Sequence, residues 1–420
     1  LGWRKNRYQM RYAEKLGRLF VMSSEDLIET ENRFMANVYA KRPIVIVRGK
    51  GAVVWDNEGK EYIDCMAGYG VCIIGHAHPK VVEAIQRQVE RLVTVHGSLY
   101  NDVRAEFLQK LAGIMPSGLD KFFMSNSGSE SVECAIKLAR KFTGKSEIIA
   151  AMRGYHGKTI GALSATWDEK YRSGFGPLMP DVKHVPFGNL AKTKEAITDK
   201  TAAILVEPIQ GEGGIRVPSN DYLPGLRELC NEKNILLVLD EVQTGFGRTG
   251  RMFACQHWNV VPDIMCLAKA VAGGLPMGVT AARNEIMSSL KVGEHSSTFG
   301  GNALVCAAAS ATIDVIVNEK LPERAAELGG YFKGRLNELG EEFKIVREVR
   351  GLGLMLGMEL RFDCKDIILG ALDRGVILLD AGVNVLRFLP PLVINQKQID
   401  IVVDVLGRLL EKQEHDKLRS

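Results

Sequence analysis

Several features are missing from this sequence, and each absence argues against a class of protein. No apolar stretch reaches the roughly 18 to 20 residues that span a bilayer, which argues against a membrane helix. The sequence has no internal repeat and no low-complexity segment, which argues against solenoids and disordered scaffolds. We therefore expect a folded protein that does not span a membrane.

The cysteines lack the pattern of a disulfide framework or a metal site. None of the eight belongs to a CxxC pair, and Cys72, for example, lies between Val71 and Ile73. We interpret them as reduced core residues, which predicts a cytoplasmic location. His76 and His78 are one residue apart, but no acid or cysteine clusters beside them in the sequence. We therefore predict no metal site.

The charge is concentrated at one end of the chain. The formal net charge is +4, yet residues 1–21 alone contribute +5, so the remainder is close to neutral. This balance argues against nucleic acid or a membrane surface as a partner. The leader is rich in arginine but lacks the serine enrichment of an organelle transit peptide. We interpret residues 1–22 as a basic extension that is disordered or not native.

Short apolar runs alternate with helical patterns through the middle of the chain. The 420 residues are 46% hydrophobic, enough for a large core and for two or three domains. The runs that predict strands are 122–124, 148–151, 202–206, 235–239 and 264–267. This alternation predicts an α/β domain with a mostly parallel sheet over residues 80–309. Residues 23–79 indicate antiparallel strands that belong to a small domain, and residues 310–420 indicate a smaller α+β domain.

The two apolar runs at 235–239 and 264–267 each end at a group with chemical potential. The first ends at Asp240, and the second is followed by Lys269 and a glycine-rich turn. A carboxylate at the end of a buried run needs a cationic partner, such as a protonated ring nitrogen. A lysine in a dry site can form a Schiff base. A structural ion pair between Asp240 and Lys269 is the alternative.

Other run ends also offer candidate ligand-binding groups. In SNSGSE, Ser127 and Glu130 form a capping-box pattern, and the following helix could bind a phosphate through its first N–H groups. The alternative is a well-capped helix without a ligand. Tyr155 is a candidate stacking residue or a buried aromatic at a turn. Glu207 and Glu212 flank a glycine-rich turn, where solvated loop acids are the alternative to a functional role.

The ordered motifs of this chain resemble those of the class III pyridoxal-phosphate aminotransferases. They are NSGSE, YHGKT, EPIQGEGG, LDEVQTGFGRTG, AKAVAGGLPMG, STFGGN, RGLGLMLG and RFLPPL. Three strings, GHAHPKVVEAI, SATWDEKYRSGFGPL and RFLPPLVI, are most similar to the acetylornithine aminotransferase branch. That branch includes enzymes that act on aminoadipate or glutamate semialdehyde attached to an acidic carrier protein. The resemblance implies pyridoxal-phosphate fold type I, as in aspartate aminotransferase.

The resemblance also implies roles in binding pyridoxal 5'-phosphate. Lys269 would bind the cofactor covalently and shuttle a proton, while Asp240 would pair with the ring nitrogen. The implied phosphate ligands are Gly128 and Ser129. Thr298 from the partner subunit of a homodimer would also bind the phosphate. Tyr155 would stack on the ring, and Val242 and Gln243 would contact its other face and its hydroxyl.

The implied substrate residues are Lys158, Glu207, Glu212, Ser297 and Arg387. Arg387 would bind a carboxylate of glutamate or 2-oxoglutarate, and Glu212 would neutralise Arg387 when the other substrate is bound. Lys158 departs from the pattern, because most acetylornithine-type enzymes have arginine there. A lysine keeps the charge but loses the bidentate fork that suits a carboxylate.

The implied reaction transfers the terminal amino group of an N-acylated ornithine or lysine to 2-oxoglutarate, in arginine or lysine biosynthesis. The donor would be either a small molecule or bound to a carrier protein, and a carrier would require a basic rim around the active-site mouth. A 4-aminobutyrate or ornithine aminotransferase is an alternative, as is an amino-acid racemase or a semialdehyde aminomutase on the same fold.

Overall fold

The computed structural model describes residues 23–418, and side-chain positions are described as far as residue 415. The extension predicted over residues 1–22 lies outside the described residues. The strands are β1 (Ile46–Lys50), β2 (Val53–Asp56), β3 (Glu61–Asp64), β4 (Lys121–Ser125), β5 (Glu147–Ala151), β6 (Val182–Val185), β7 (Thr201–Val206), β8 (Leu236–Asp240), β9 (Ile264–Leu267), β10 (Gly278–Ala282), β11 (Val346–Leu352), β12 (Met355–Leu360), β13 (Val376–Ile377), β14 (Leu379–Asp380) and β15 (Val385–Phe388).

The helices of the described chain surround and connect these strands. They are α1 (Ser24–Phe34), α2 (Ala67–Gly70), α3 (Pro79–Val89), α4 (Asp102–Ile114), α5 (Gly128–Thr143), α6 (Ile160–Ala165), α7 (Glu169–Arg172), α8 (Leu190–Ala196), α9 (Tyr222–Lys233), α10 (Asn284–Met287), α11 (Ala303–Asn318), α12 (Leu321–Glu342), α13 (Lys365–Asp373) and α14 (Gln396–Leu418). Two 3₁₀ turns cover Ala254–Trp258 and Lys269–Ala272. Within the described residues, no helix is both long enough and apolar enough to cross a bilayer.

A seven-stranded sheet forms the centre of the large α/β region. Its strand order is β4-β10-β9-β8-β7-β5-β6, and only β10 runs antiparallel to its neighbours. All residues of β5, β7, β8 and β9 are buried, because helices cover both faces of a parallel sheet. The mostly parallel sheet predicted from the apolar runs is confirmed.

The parallel direction of these strands brings separate segments of the sequence to one edge. In such sheets, ligands bind outside the carboxyl ends of the strands. The segments that leave this edge after β4, β5, β7, β8 and β9 contain every candidate group named at the strand ends. Helices form most of the crossovers between them, and the β8–β9 crossover contains the 3₁₀ turn Ala254–Trp258, so residues far apart in sequence come together in space.

Two smaller sheets lie towards the ends of the chain. One has the order β1-β2-β3-β13, and the other has the order β11-β12-β15-β14. The antiparallel strands predicted within residues 23–79 are present as β1, β2 and β3. Since β3 pairs in parallel with β13, the N-terminal segment joins the C-terminal part of the chain. The exact domain boundaries stay a prediction.

Candidate active site

A cavity of about 330 Å³ opens at the carboxyl edge of the large sheet. Nine of the residues predicted for the site line it: Gly128, Ser129, Tyr155, Glu207, Glu212, Asp240, Val242, Gln243 and Lys269. Asn126, Ser127, His156 and Gly157 also line it, although the sequence analysis gave them no role in the site. The strand ends therefore meet in one concave site.

Lys269 enters the cavity from a strained turn that follows β9. The residue has a left-handed backbone with φ of 47°, which is unfavourable for a side chain with a Cβ. Such strain is typical of functional positions that the surrounding structure fixes. Burial lowers the pKa of the Lys269 ammonium, while Glu212 opposes that shift and Arg387 adds to it. A lowered pKa leaves more of the amine unprotonated, as a nucleophile or a general base requires.

Asp240 is fixed by two hydrogen bonds rather than by an ion pair with Lys269. Its Oδ1 accepts from Val242 N at 3.0 Å, and its Oδ2 lies 2.8 Å from His156 Nδ1. The side chains of Asp240 and His156 are both buried. Among the described residues, no salt bridge links Asp240 to Lys269. The structural ion pair considered as an alternative is therefore wrong.

His156 is the functional candidate that the sequence reasoning missed. The imidazole is buried behind Asp240, and although burial opposes it, the hydrogen bond to Asp240 raises the His156 pKa. The histidine therefore holds the carboxylate in a fixed orientation. Its position beside the candidate aromatic Tyr155, directly after a predicted strand, was the only available signal.

The first turn of α5 forms one wall of the cavity. Ser127 is the N-cap, because its side chain accepts from Glu130 N. The second half of the predicted capping box differs: the Glu130 carboxylate accepts from Asn126 N at 2.7 Å and from Ser127 Oγ at 3.2 Å. This arrangement presents the first N–H groups of α5 to the cavity, where the helix dipole favours an anion.

The loop after β5 packs directly against the start of α5. Gly157 has φ of 133°, and a Cβ at this position would lie 2.2 Å from Ser129 Oγ. Only glycine permits this approach, which brings Tyr155 next to the α5 wall. Burial raises the pKa of Tyr155 to about 12, with Glu212 adding to the shift, so its ring stays neutral.

Glu207 and Glu212 are not solvated loop acids. Glu207 is buried and accepts from Tyr155 N at 3.1 Å and from Gly211 N at 3.0 Å. Burial raises the pKa of the Glu207 carboxyl to about 7. Asp240 adds to this shift, whereas His156 and the two N–H donors oppose it. Glu207 therefore links the Tyr155 loop to the turn that carries Glu212.

Glu212 forms an ion pair with a buried arginine. Glu212 Oε1 lies 2.7 Å from Arg387 Nη1, and the Arg387 side chain is only 1% exposed. Arg387 lies on β15, donates from Nε to Asp380 O, and stacks over the Tyr69 ring at 5.5 Å. Burial opposes ionisation of Glu212, but Arg387 prevails and holds the pKa of that carboxyl below its usual value.

Four predicted site residues do not line the cavity of this chain: Arg387, which pairs with the lining residue Glu212, and Lys158, Ser297 and Thr298. Lys158 is exposed, with its ammonium 5.2 Å from the centre of the Tyr171 ring. Ser297 Oγ accepts from Asn126 Nδ2 at 3.2 Å, which places it beside the cavity wall. Thr298 is exposed and does not belong to this chain's own cavity lining. The predicted role of Thr298, which depends on a partner subunit, stays a prediction.

The cavity residues fit a flat aromatic cofactor that carries a phosphate. The α5 N-terminus offers N–H donors to the phosphate, and Tyr155 and Val242 line the cavity on different loops. Gln243 has a buried side-chain oxygen without a partner among the described residues, and a ring hydroxyl is the donor it needs. Asp240 and Lys269 supply an acceptor for a ring N–H and an amine for an aldehyde.

Comparisons with known proteins agree with this geometry. Residues 34–410 match the family described as aminotransferase class-III. The chain belongs to that family. The acetylornithine aminotransferase of Methanothermobacter thermautotrophicus is 49% identical over 389 residues, which cover 93% of this chain and 99% of that protein. The [LysW]-aminoadipate semialdehyde transaminase of Deinococcus radiodurans is 46% identical, covering 91% of this chain and 90% of that protein.

A solved structure of the Toxoplasma gondii ornithine aminotransferase has the same fold. It superposes with a TM-score of 0.91 at 34% identity, covering 99% of this chain and 100% of the other, and it is described with partial occupancy of pyridoxal phosphate at its active site. The protein is thus an aminotransferase of fold type I that depends on pyridoxal phosphate. The family, fold, reaction type and cofactor inferred from the sequence motifs are confirmed.

Proposed function

We propose that this enzyme transfers the terminal amino group of an N-acylated ornithine or lysine to 2-oxoglutarate. The observation that carries the proposal is the Arg387–Glu212 ion pair at the edge of a cavity that contains Lys269 and Asp240. The similarity to an acetylornithine aminotransferase and to a carrier-dependent semialdehyde transaminase supports the same substrate class. A homodimer, a cytoplasmic location and an acidic carrier protein as partner stay predictions.

The ion pair suits an enzyme that alternates between two unlike substrates. Glutamate and 2-oxoglutarate carry a side-chain carboxylate that would displace Glu212 and pair with Arg387. A terminal amine without a neighbouring carboxylate leaves Arg387 without a ligand. In that half of the cycle Glu212 neutralises the buried guanidinium, which would otherwise be an uncompensated buried charge.

Each group at the cavity floor has one task in this cycle. When bound, pyridoxal phosphate supplies an electron sink for the charge that develops on the substrate carbon as its proton leaves. Asp240, oriented by His156, would hold the ring nitrogen by accepting its hydrogen bond. Lys269 Nζ would take the proton from the substrate carbon and hold it for return. Tyr155 and Val242 would restrict the ring plane, and the α5 N-terminus would hold the phosphate.

A panel of amino donors with 2-oxoglutarate tests this proposal. N-acetylornithine is expected to have a kcat/KM at least about tenfold above those of ornithine and 4-aminobutyrate, because a site that recognises the acyl group loses contacts when that group is missing. Glutamate formation is the readout. The reverse ranking would support an ornithine or 4-aminobutyrate aminotransferase.

The same assay without a keto acid separates transfer from isomerisation. An aminotransferase without an acceptor makes at most one product molecule per active site, because each further turnover needs a keto acid to accept the amino group. Continued racemisation or migration of the amino group in the absence of 2-oxoglutarate would overturn the proposal.

A further inference from the structure

A second cavity of about 330 Å³ adjoins the active-site cavity. The two cavities share Tyr155 and Glu212, so those two residues form the wall between them. Three cationic side chains line the second cavity: Arg153, Lys170 and Arg216. The transamination cycle described above uses none of them.

Carboxylates pair with some of the cationic side chains around the two cavities, but not with Arg153 or Arg216 among the described residues. Asp168 pairs with Lys170 at 3.2 Å, and Glu212 pairs with Arg387 at 2.7 Å. Arg153 and Arg216 have no carboxylate within 4.0 Å among the described residues. Burial lowers the pKa of Arg216, and the like charges of Arg153 and Arg350 lower it further, while Glu359 and Glu348 oppose that shift. The guanidinium groups of Arg153 and Arg216 therefore repel each other, and neither is in direct contact with a carboxylate of the described residues.

The backbone at Arg153 is fixed in an unfavourable conformation. Arg153 has φ of 66°, a left-handed conformation that costs free energy for a residue with a Cβ. Its loop is fixed on both sides, because Gln210 Nε2 donates to Met152 O at 2.8 Å and Trp167 N donates to Gly154 O at 3.0 Å. A Cβ on Gly213 would lie 2.7 Å from Arg153 O, so the two loops are in direct contact. The position of this arginine is thus built into the fold.

Arg216 lies on the same turn as Glu212. This turn is closed by an antiparallel bridge between Gln210 and Arg216, and Arg216 Nε donates to Gly213 O at 3.1 Å. Arg350 anchors the turn by donating to Gly214 O at 2.7 Å, and its own charge is paired with Glu359. This one turn therefore presents Glu212 to both cavities and the Arg216 guanidinium to the second.

We propose that Arg153 and Arg216 bind a carboxylate carried by the acyl group of the amino donor. The inference rests on the proposed function, in which the terminal amine reacts at Lys269 and the acyl end extends away from it. Past Tyr155 and Glu212, that end reaches the second cavity, where two guanidinium groups offer the planar donors that suit a carboxylate. The site thus selects acidic acyl groups, such as succinyl or glutamyl, over the neutral acetyl group.

The test compares N-succinylornithine with N-acetylornithine as donors to the complete enzyme. The wild-type protein is expected to prefer the succinyl donor in kcat/KM. Arg216→Gln and Arg153→Gln are each expected to reduce that preference about tenfold or more, because a charge-assisted hydrogen bond is lost. Arg374→Gln is the matched control, since Arg374 is exposed on another surface and donates to Gly370 O, and it should keep the wild-type preference.

A binding measurement separates recognition from catalysis. N-succinylnorvaline and N-acetylnorvaline lack the reacting amine, so calorimetric titration of the holoenzyme reports their dissociation constants directly. The succinyl analogue should bind more tightly to the wild type, and Arg216→Gln should remove that difference.

The possible failures are distinguishable. An equal loss for both donors would assign the arginines to the α-carboxylate or to the structure, and an unchanged preference would leave them without this role; either result overturns the inference. Turnover of acetylornithine without any preference for the succinyl donor also overturns the inference but keeps the proposed function. No turnover of any N-acylated ornithine would instead defeat the proposed function.

Discussion

The cofactor side and the substrate side of this active site are built differently. On the cofactor side, Asp240 and its partner His156 are buried, and Lys269 directly follows a fully buried strand. On the substrate side, the buried Arg387 on β15 pairs with Glu212 on a turn, whereas Lys158 and Thr298 are exposed and do not line the cavity. The chemistry thus depends on the ends of buried strands, whereas substrate selection combines one buried arginine with loop residues around it.

The difference follows from what each side has to do. A reacting group needs an environment that fixes its pKa and its position, and the ends of buried strands provide both. A binding group that serves two unlike substrates must change partners, so it needs an ion pair that can open. Substitutions on the two sides should therefore remove different functions. On the cofactor side they should remove the chemistry, and on the substrate side they should alter how substrates are bound.

The largest effect is expected on the cofactor side, for Lys269→Ala. This change removes the amine that binds the cofactor and the group that moves the proton, so kcat should fall by about 10³-fold or more. The absorbance band of the lysine-bound cofactor should be lost at the same time. Absorbance spectra and steady-state assays with the best donor measure the two effects.

Lys192→Ala is a suitable control for that experiment. Lys192 is exposed on α8 and pairs only with Glu195, so its loss should change neither the spectrum nor kcat. A Lys269→Ala protein that kept the band and full turnover would show that the chemistry depends on another residue.

The sequence signals on the cofactor side are mostly local. Buried runs followed by Asp240 and Lys269, and a capping pattern at Ser127, can all be recognised from neighbours in the chain. Parallel strands then bring those ends to one edge, which is a general rule and needs no detailed knowledge of packing. The reaction type could therefore be inferred from the motifs.

The parts that the sequence did not reveal depend on long-range pairing. The bond between His156 and Asp240 joins residues 84 positions apart, and no local pattern announces it. The two histidines considered for a metal site also pair with acids outside their own short stretch. His76 lies 2.8 Å from Asp64, and His78 lies 3.6 Å from Glu319. Among the described residues, no group of three or more side chains is arranged to hold a metal ion.

An intermediate effect is expected on the substrate side, for Glu212→Gln. The variant leaves Arg387 buried without a counter-charge whenever the donor occupies the site. The rate constant for the half-reaction with the N-acylated donor should therefore fall by about 10- to 100-fold, as expected for loss of a hydrogen bond between charged groups. The half-reaction with glutamate should change little, because the substrate carboxylate replaces Glu212. Rapid-mixing absorbance measurements follow each half-reaction separately.

Glu212→Asp provides the comparison for that variant. It keeps the negative charge on a shorter side chain, so it should retain part of the donor half-reaction that glutamine loses. Equal losses in both half-reactions of Glu212→Gln would mean that Glu212 acts on the cofactor side, and the division between the two sides would fail.

The smallest effect is expected for the His76–Asp64 pair, which supports the Tyr69 turn on the substrate side. His76 Nε2 lies 2.8 Å from Asp64 Oδ2, and Asp64 also accepts from Met66 N and Ala67 N at the start of the turn that carries Tyr69, which packs on Arg387. The hydrogen bond to Asp64, followed by Cys72, raises the pKa of His76 to about 10 from the usual 6.5. A raised histidine pKa stabilises the fold fully below about pH 6.5, and this contribution disappears as the pH rises through about 10.

His76→Asn should accordingly lower Tm at pH 6 by a few degrees and leave it nearly unchanged at pH 10.5, because the wild-type protein has lost the same contribution at high pH. Asp64→Asn should lower Tm at both pH values, since it also weakens the bonds to the two backbone N–H groups. His96→Asn, at an exposed histidine that contacts Ser98, controls for the loss of an imidazole. A Tm difference for His76→Asn that stayed constant from pH 6 to pH 10.5 would show that His76 acts through packing alone. The His76–Asp64 pair touches neither Lys269 nor Asp240, so kcat should stay within about twofold in every variant. That result would show that this pair supports the substrate side without taking part in the chemistry.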